Sequence, residues 1–226
     1  MHCLCTRRWE PTRLSNQPLG SWSKKQVGDQ VTAHVQVWRL SDLKLLKTVK
    51  LPADSGKHNQ WPAEPRLLAD GTVYVNTFSC GLYRMKGLNT AQPSAEQVFT
   101  FPGSAESMMT MCGVPVVVGH YWIQTAGALP GLIVLDISHP EKPVEVSRLL
   151  LDHAHHMPHW LSADRNSDRL VLTGDDQSWV LVLRLDQKTG KLAIDDTFRA
   201  RDASAPGVVF DGKEGRAIVH GALFGR

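Results

Sequence analysis

Apolar and polar positions alternate with a period of two in short runs along most of the chain, starting with His34-Val35-Gln36-Val37-Trp38-Arg39-Leu40. A half-buried strand requires this pattern, because successive side chains point to opposite faces of a sheet. Almost no stretch shows the 3.6-residue period of an amphipathic helix, and turn residues separate the runs. The pattern predicts an all-β chain with strands at 35–40, 45–51, 66–69, 72–78, 82–85, 97–101, 114–118, 121–125, 132–137, 144–149, 159–163, 169–173, 179–185, 192–198, 208–210 and 217–220.

One type of strand recurs. It reads Val35-Gln36-Val37-Trp38-Arg39-Leu40, Leu82-Tyr83-Arg84-Met85, Leu132-Ile133-Val134-Leu135-Asp136-Ile137 and Val180-Leu181-Val182-Leu183-Arg184-Leu185. The starts at 35, 82, 132 and 180 are 47, 50 and 48 residues apart. A period of that size with four strands per unit marks a β-propeller blade. A β-sandwich has similar strand spacing but needs no internal repeat, so the period favours the propeller. The expected organisation is an irregular segment over 1–32 and a single propeller domain over 33–226. Within the domain we expect two outer strands (35–51), full blades near 58–101, 106–150 and 156–199, and two inner strands (206–220). The terminal halves either join into a fourth blade or belong to a longer propeller, of which this chain is the carboxyl-terminal part. In an incomplete ring, edges at 35–40 and 217–220 would leave backbone groups open and favour self-association.

Composition adds mostly exclusions. With 226 residues, 42% of them hydrophobic, the chain can bury a sizeable core. No apolar run reaches the roughly 20 residues of a membrane span, and none follows Arg7-Arg8 as a secretory leader would. A cytoplasmic location is expected for the sequence as written, and a periplasmic one if the true amino terminus lies upstream. Lys and Arg number 25 against 22 Asp and Glu, spread along the chain, which argues against a nucleic-acid partner. Cys3, Cys5, Cys80 and Cys112 are too few and scattered for a disulfide scaffold, and no C-x-x-C pair offers a zinc clip. Cys80 and Cys112 read as small buried hydrophobes.

Histidine is the informative residue type: His153, His155, His156 and His159 fall within seven positions. In a propeller the innermost strands line a central channel, so lead-ins from distant blades converge there. On that reasoning His58, His120, His156, His159 and His220 form a candidate pool of metal ligands. Imidazoles without thiolate favour copper or iron for redox work, and Glu64, Asp152 and Asp164 could orient the rings. His2, His34 and His139 read as structural, and His153 and His155 could serve either role. Trp61 and Trp160 read as blade-packing residues that could also wall a small apolar pocket. Asp175-Asp176 and Asp195-Asp196 read as exposed turns.

Leu135-Asp136-Ile137-Ser138-His139-Pro140-Glu141-Lys142-Pro143, followed by Val146-Ser147-Arg148-Leu149, resembles the blade motif of the selenium-binding protein or methanethiol oxidase family and of related LVIVD-type repeats. The run from Val180 to Asp186 with Thr189-Gly190-Lys191-Leu192 is similar to a late blade of that family, and His220-Gly221-Ala222 to its terminal histidine segment. The resemblance covers roughly 33–224 and implies a seven-bladed propeller of about twice this length. It also implies a copper-dependent oxidase converting methanethiol, with dioxygen and water, to formaldehyde, hydrogen sulfide and hydrogen peroxide, with histidine ligands near the axis. Neither Cys3 nor Cys5 lies in a copy of the family's selenium-associated motif. The first functional expectation is therefore copper-dependent oxidation of small thiols, and the alternative is a non-catalytic propeller scaffold.

Overall fold

The computed structural model describes residues 2–5, 33–104, 110–212 and 215–225. Residues 6–32, most of the segment expected to be irregular, lie outside the described residues, as do 106–109 of the second expected blade. Four antiparallel sheets follow one another along the chain. The first contains β1 (His2–Cys5), β2 (His34–Arg39) and β3 (Lys44–Lys50) in that order. The second is a meander of β4 (Pro62–Leu67), β5 (Val73–Thr77), β6 (Gly81–Lys86) and β7 (Ser94–Thr100). The third repeats it with β8 (Val116–Val118), β9 (Tyr121–Ala126), β10 (Gly131–Asp136) and β11 (Val144–Leu150). After a 3-10 turn at His153–His155, the fourth holds β12 (Pro158–Ala163), β13 (Arg169–Gly174), β14 (Trp179–Leu185) and β15 (Leu192–Ile194). The recurrent strand of the sequence is β2, β6, β10 and β14, one in each sheet. This is propeller architecture, and among the described residues no helix is long and apolar enough to cross a membrane.

The sheets are stacked face to face, and the recurrent strands show why. Leu132 and Val134 of β10 pack with Leu181 and Leu183 of β14, while Ile133 and Leu135 turn to the other side and meet Tyr74 and Leu82 of the second sheet. Tyr83 and Met85 of β6 face Val35, Val37 and Val49 of the first sheet. Strands buried on both faces need continuous apolar runs rather than strict alternation, and β10 is fully buried from Gly131 to Leu135. Each such Leu or Ile contributes about 1.5–3 kcal/mol of burial.

The ends of the chain differ from the sequence expectation. His2–Cys5 is a strand, in register with β2 from His2↔Arg39 to Cys5↔Gln36. Strand β2 is therefore flanked on both sides and is not an open edge. The segment 206–220 does not supply a pair of inner strands: β16 (Val208–Val209) adds to β14, and β17 (Asp211–Gly212) pairs with β18 (Gly215–Arg216) as a small hairpin. Residues 217–224 then run along the fourth sheet. Thr173 donates its hydroxyl to the His220 carbonyl at 3.2 Å, the Val219 N–H bonds the Gln177 carbonyl at 2.9 Å, and the Arg169 guanidinium sits 5.9 Å from the Phe224 ring centre. Val171, Val180 and Val182, on the face turned away from the third sheet, are buried.

Two further expectations change. Cys80 and Cys112 are buried as expected, but they also form a disulfide joining the second sheet to the approach to the third. Their separation of 32 residues spans most of a blade, so no local spacing betrays it. Asp195 is not an exposed turn residue: it is 2% accessible, bonded by Thr197, with Arg169 and Arg184 each 3.3 Å from its Oδ2.

Candidate functional site

The inner strands of the second and fourth sheets begin alike. Trp61 before Pro62 and Met157 before Pro158 hold left-handed backbone, at φ 53° and 54°. Each carbonyl is then capped from the end of the neighbouring strand, by the Phe78 N–H at 3.0 Å and the Asp175 N–H at 2.8 Å. Non-glycine residues in that region cost of order 1 kcal/mol or more, so the conformation persists only where the surroundings enforce it. In the fourth sheet it brings Asp175 beside the start of β12. A register shift between Pro158 and Trp160 takes His159 out of the regular ladder, and such bulges re-aim side chains. The His159 carbonyl accepts from the Val114 N–H at 2.7 Å, locking the lead-ins of β8 and β12 together at one end of the stack.

His220 completes the group. It lies on the terminal segment, and its ring centre is 4.9 Å from that of His159. His220 Nδ1 is 4.0 Å from Asp175 Oδ1. One ligand atom from each of His159, Asp175 and His220 lies within 4.8 Å of the other two. Bonds of about 2.1 Å would set neighbouring donors roughly 3–3.4 Å apart, and the His220 side chain, 70% accessible, has the freedom to close that gap. Burial holds His159 below the ordinary imidazole range and the neighbouring His220 adds to this, while Asp175 and Glu64 pull the other way. A neutral imidazole is the ligand form, so the donor set suits a late first-row metal.

The structure distributes the other sequence candidates. His58 gives its ring Nδ1 to Asp54 at 2.6 Å, and that carboxylate is also held by Gln97 of the outermost strand β7 at 3.0 Å. His120 sits in the turn joining β8 to β9, at the opposite end of its sheet from the His159 contact, with its ring 4.1 Å from that of Tyr121. His156 is exposed, its Nδ1 3.1 Å from the His153 carbonyl. With His155 and Trp179 it lines a shallow cleft of about 440 Å³. Asp152 caps the 3-10 turn and pairs with the His155 ring at 2.7 Å. Asp164 holds a turn through Asn166 and Ser167 at the far end of β12. Glu64 pairs with Arg66, and its charge reaches His159. Asp175 is the member that sequence reasoning passed over. Its signal is the repeat: the matching position after β5 caps Trp61 as Asp175 caps Met157.

No protein-family model matches the chain, and no curated protein matches it. Solved structures do. A hypothetical selenium-binding protein from Sulfolobus tokodaii superposes with a TM-score of 0.65 at 17% identity, covering 82% of this chain and 50% of that one. A protein from Lactobacillus plantarum gives 0.58 at 16% identity, covering 78% and 51%. The periplasmic gluconolactonase of Pseudomonas aeruginosa gives 0.56 at 14% identity, covering 78% and 50%. At such identities the likeness shows the fold, and the chain spans about half the length of these proteins.

Proposed function

We propose that this chain is the metal-binding part of a propeller oxidase acting on small thiols, with copper held by His159, His220 and Asp175. The observation that carries the reading is the convergence of these three side chains, from an inner strand, a strand end and the terminal segment, to within 4.8 Å. Two imidazoles and one carboxylate leave coordination positions open, and affinity at such N/O sites peaks at copper among the divalent first-row ions. Copper bound there supplies one-electron redox chemistry and an open position for a sulfur ligand. The protein's contribution is separable from the metal's. Burial lowers the His159 imidazole and so favours its neutral, ligating form, Asp175 supplies a negative charge, and Glu64 lends a further one from the second sheet. The thiol substrate follows from the blade and terminal-histidine resemblance, and the selenium-binding name of one structural relative supports the same direction.

The test is metal content after expression with copper and dialysis. One equivalent is expected in the wild type, with loss on His159→Ala, His220→Ala or Asp175→Asn. Oxygen uptake with methanethiol then tests the substrate. Copper retained in all three variants would overturn the site, and metal-loaded protein inert towards thiols would overturn the substrate assignment alone.

A further inference from the structure

One register position is polar and fully buried in the second, third and fourth sheets alike. Asn76 faces Leu82, Thr125 faces Leu132 and Thr173 faces Val180, each opposite the first residue of the recurrent strand. A polar group in such a place costs stability unless it is bonded. All three bond the backbone of a segment outside their own strand ladder. Asn76 donates to the Gly113 carbonyl at 3.3 Å, Thr125 accepts the Gly113 N–H at 2.8 Å, and Thr173 donates to the His220 carbonyl at 3.2 Å.

For His220 this bond matters more than for a packed residue. Its side chain is mostly exposed, so the ring is placed by its own backbone rather than by neighbours. On one side of it the Val219 N–H bonds the Gln177 carbonyl at 2.9 Å. On the other, Gly221 lies so close to Trp160 that an added Cβ would come within 3.2 Å of the indole. Between these two holds, the Thr173 hydroxyl acts on His220 itself. Thr173 pairs with Trp160, the neighbour of His159, and precedes Asp175 by two residues. The hydroxyl therefore ties His220 to the strand pair β12 and β13 that places the other two donors. A β-branched side chain packed on all sides has little χ1 freedom, which fixes the direction of the bond.

We propose that Thr173 is a positioning residue for the metal site: its hydroxyl sets the His220 backbone so that the imidazole reaches His159 and Asp175. The inference rests on the reading of these three residues as copper ligands, and adds what holds the most exposed of them in place. Freed of this bond, the segment keeps the Gln177 hold, so His220 stays near but must be ordered again each time a metal binds. That costs affinity without abolishing binding. Thr77 provides the contrast. It is also fully buried and gives its hydroxyl to the His58 carbonyl at 2.5 Å, but His58 is engaged with Asp54 and is not one of the three donors.

Three variants test this: Thr173→Val, which keeps the shape and removes the hydroxyl, Thr173→Ser, which keeps the hydroxyl, and Thr77→Val. His220 is exposed, so its carbonyl can turn to water when the bond is lost, and the Thr173 variants should fold; circular dichroism checks all three. In metal-free protein, nuclear Overhauser contacts between the His159 and His220 rings, whose centres are 4.9 Å apart, should be present in wild type and Thr173→Ser and lost in Thr173→Val. Copper affinity should fall roughly tenfold in Thr173→Val, return to within about threefold of wild type in Thr173→Ser, and hold in Thr77→Val although that variant melts earlier. Ring contacts and affinity retained in Thr173→Val, a Thr173→Ser variant as weak as Thr173→Val, or an equal loss of affinity in Thr77→Val would each overturn the role of the hydroxyl. A wild type that binds no copper would overturn the ligand reading, and the ring contacts in metal-free protein would still decide for or against Thr173.

Discussion

Asp54 binds His58 twice, accepting its backbone N–H at 2.9 Å and facing its ring Nδ1 at 2.6 Å. Burial raises the Asp54 carboxyl, but the bonds from the His58 backbone, Gln97 and the His58 ring outweigh it and lower the group to about 2. A carboxylate depressed in the folded state stabilises that state above its unfolded value near 3.8 and loses the contribution as pH falls through about 2. Asp54→Asn should therefore cost up to roughly 2 kcal/mol near neutrality and little at the acid end. Denaturant midpoints at the two pH values check it. Because His58 is engaged in this clasp, His58→Ala should leave copper content unchanged while lowering stability.

The disulfide makes a second claim on stability. Cys80 and Cys112 are both fully buried and close a loop of 32 residues between adjacent sheets. Chain-entropy arguments put such a crosslink at about 3–4 kcal/mol. Cys80→Ala with Cys112→Ala should lower stability by about 2–4 kcal/mol, and reduction of this bridge after unfolding should add two hydrogen atoms to the mass of the intact protein. A free-thiol titration of the unreduced, unfolded chain that finds all four cysteines reactive would contradict the bridge.

Gly113 gives a third. A Cβ there would lie 2.3 Å from the His159 carbonyl oxygen, a backbone atom that cannot swing aside. Gly113→Ala should break the Val114 N–H bond to His159 and displace the start of β12. We expect a loss of about 1–3 kcal/mol and a several-fold weaker copper affinity, whereas Gly71→Ala, with nothing near its Cβ, disturbs only its own turn.

These outcomes separate what was legible in the sequence from what was not. The blade period was legible because β6 and β10 must be apolar on both faces to fill two interfaces each, and β14 is buried on both faces as well. His159 and His220 were legible as residue types near an inner strand and a terminus. Asp175 was not, because an acidic pair after a strand reads as a solvated turn until the Met157 contact is seen. His120 entered the pool because it opens a strand, but a strand has two ends and spacing does not distinguish them. The terminal segment reads as inner strands from its place after three four-stranded units, yet it is held to the fourth sheet by Thr173 and Gln177. Nothing local in 217–220 encodes that partner.

The burial of His159 yields the last prediction. Its imidazole is lowered from the ordinary 6.5, first by burial and then by His220, with Asp175 and Glu64 opposing. Such a group resists protonation when folded and accepts it freely when unfolded. Above about pH 7 both states are neutral there and His159 contributes no pH dependence. As the pH drops through 6.5 the unfolded chain takes the proton first, so folding weakens until the folded value is passed. In metal-free protein, the stability of wild type relative to His159→Gln should therefore fall as the pH drops below about 7. The comparison with the variant cancels every other titrating group that the substitution leaves alone. With copper present the fall should steepen, because protons then also compete with the metal for the ring. A difference between wild type and variant that stays flat with pH in chelator would mean that the ring is solvated, and the preformed neutral ligand would have to be given up.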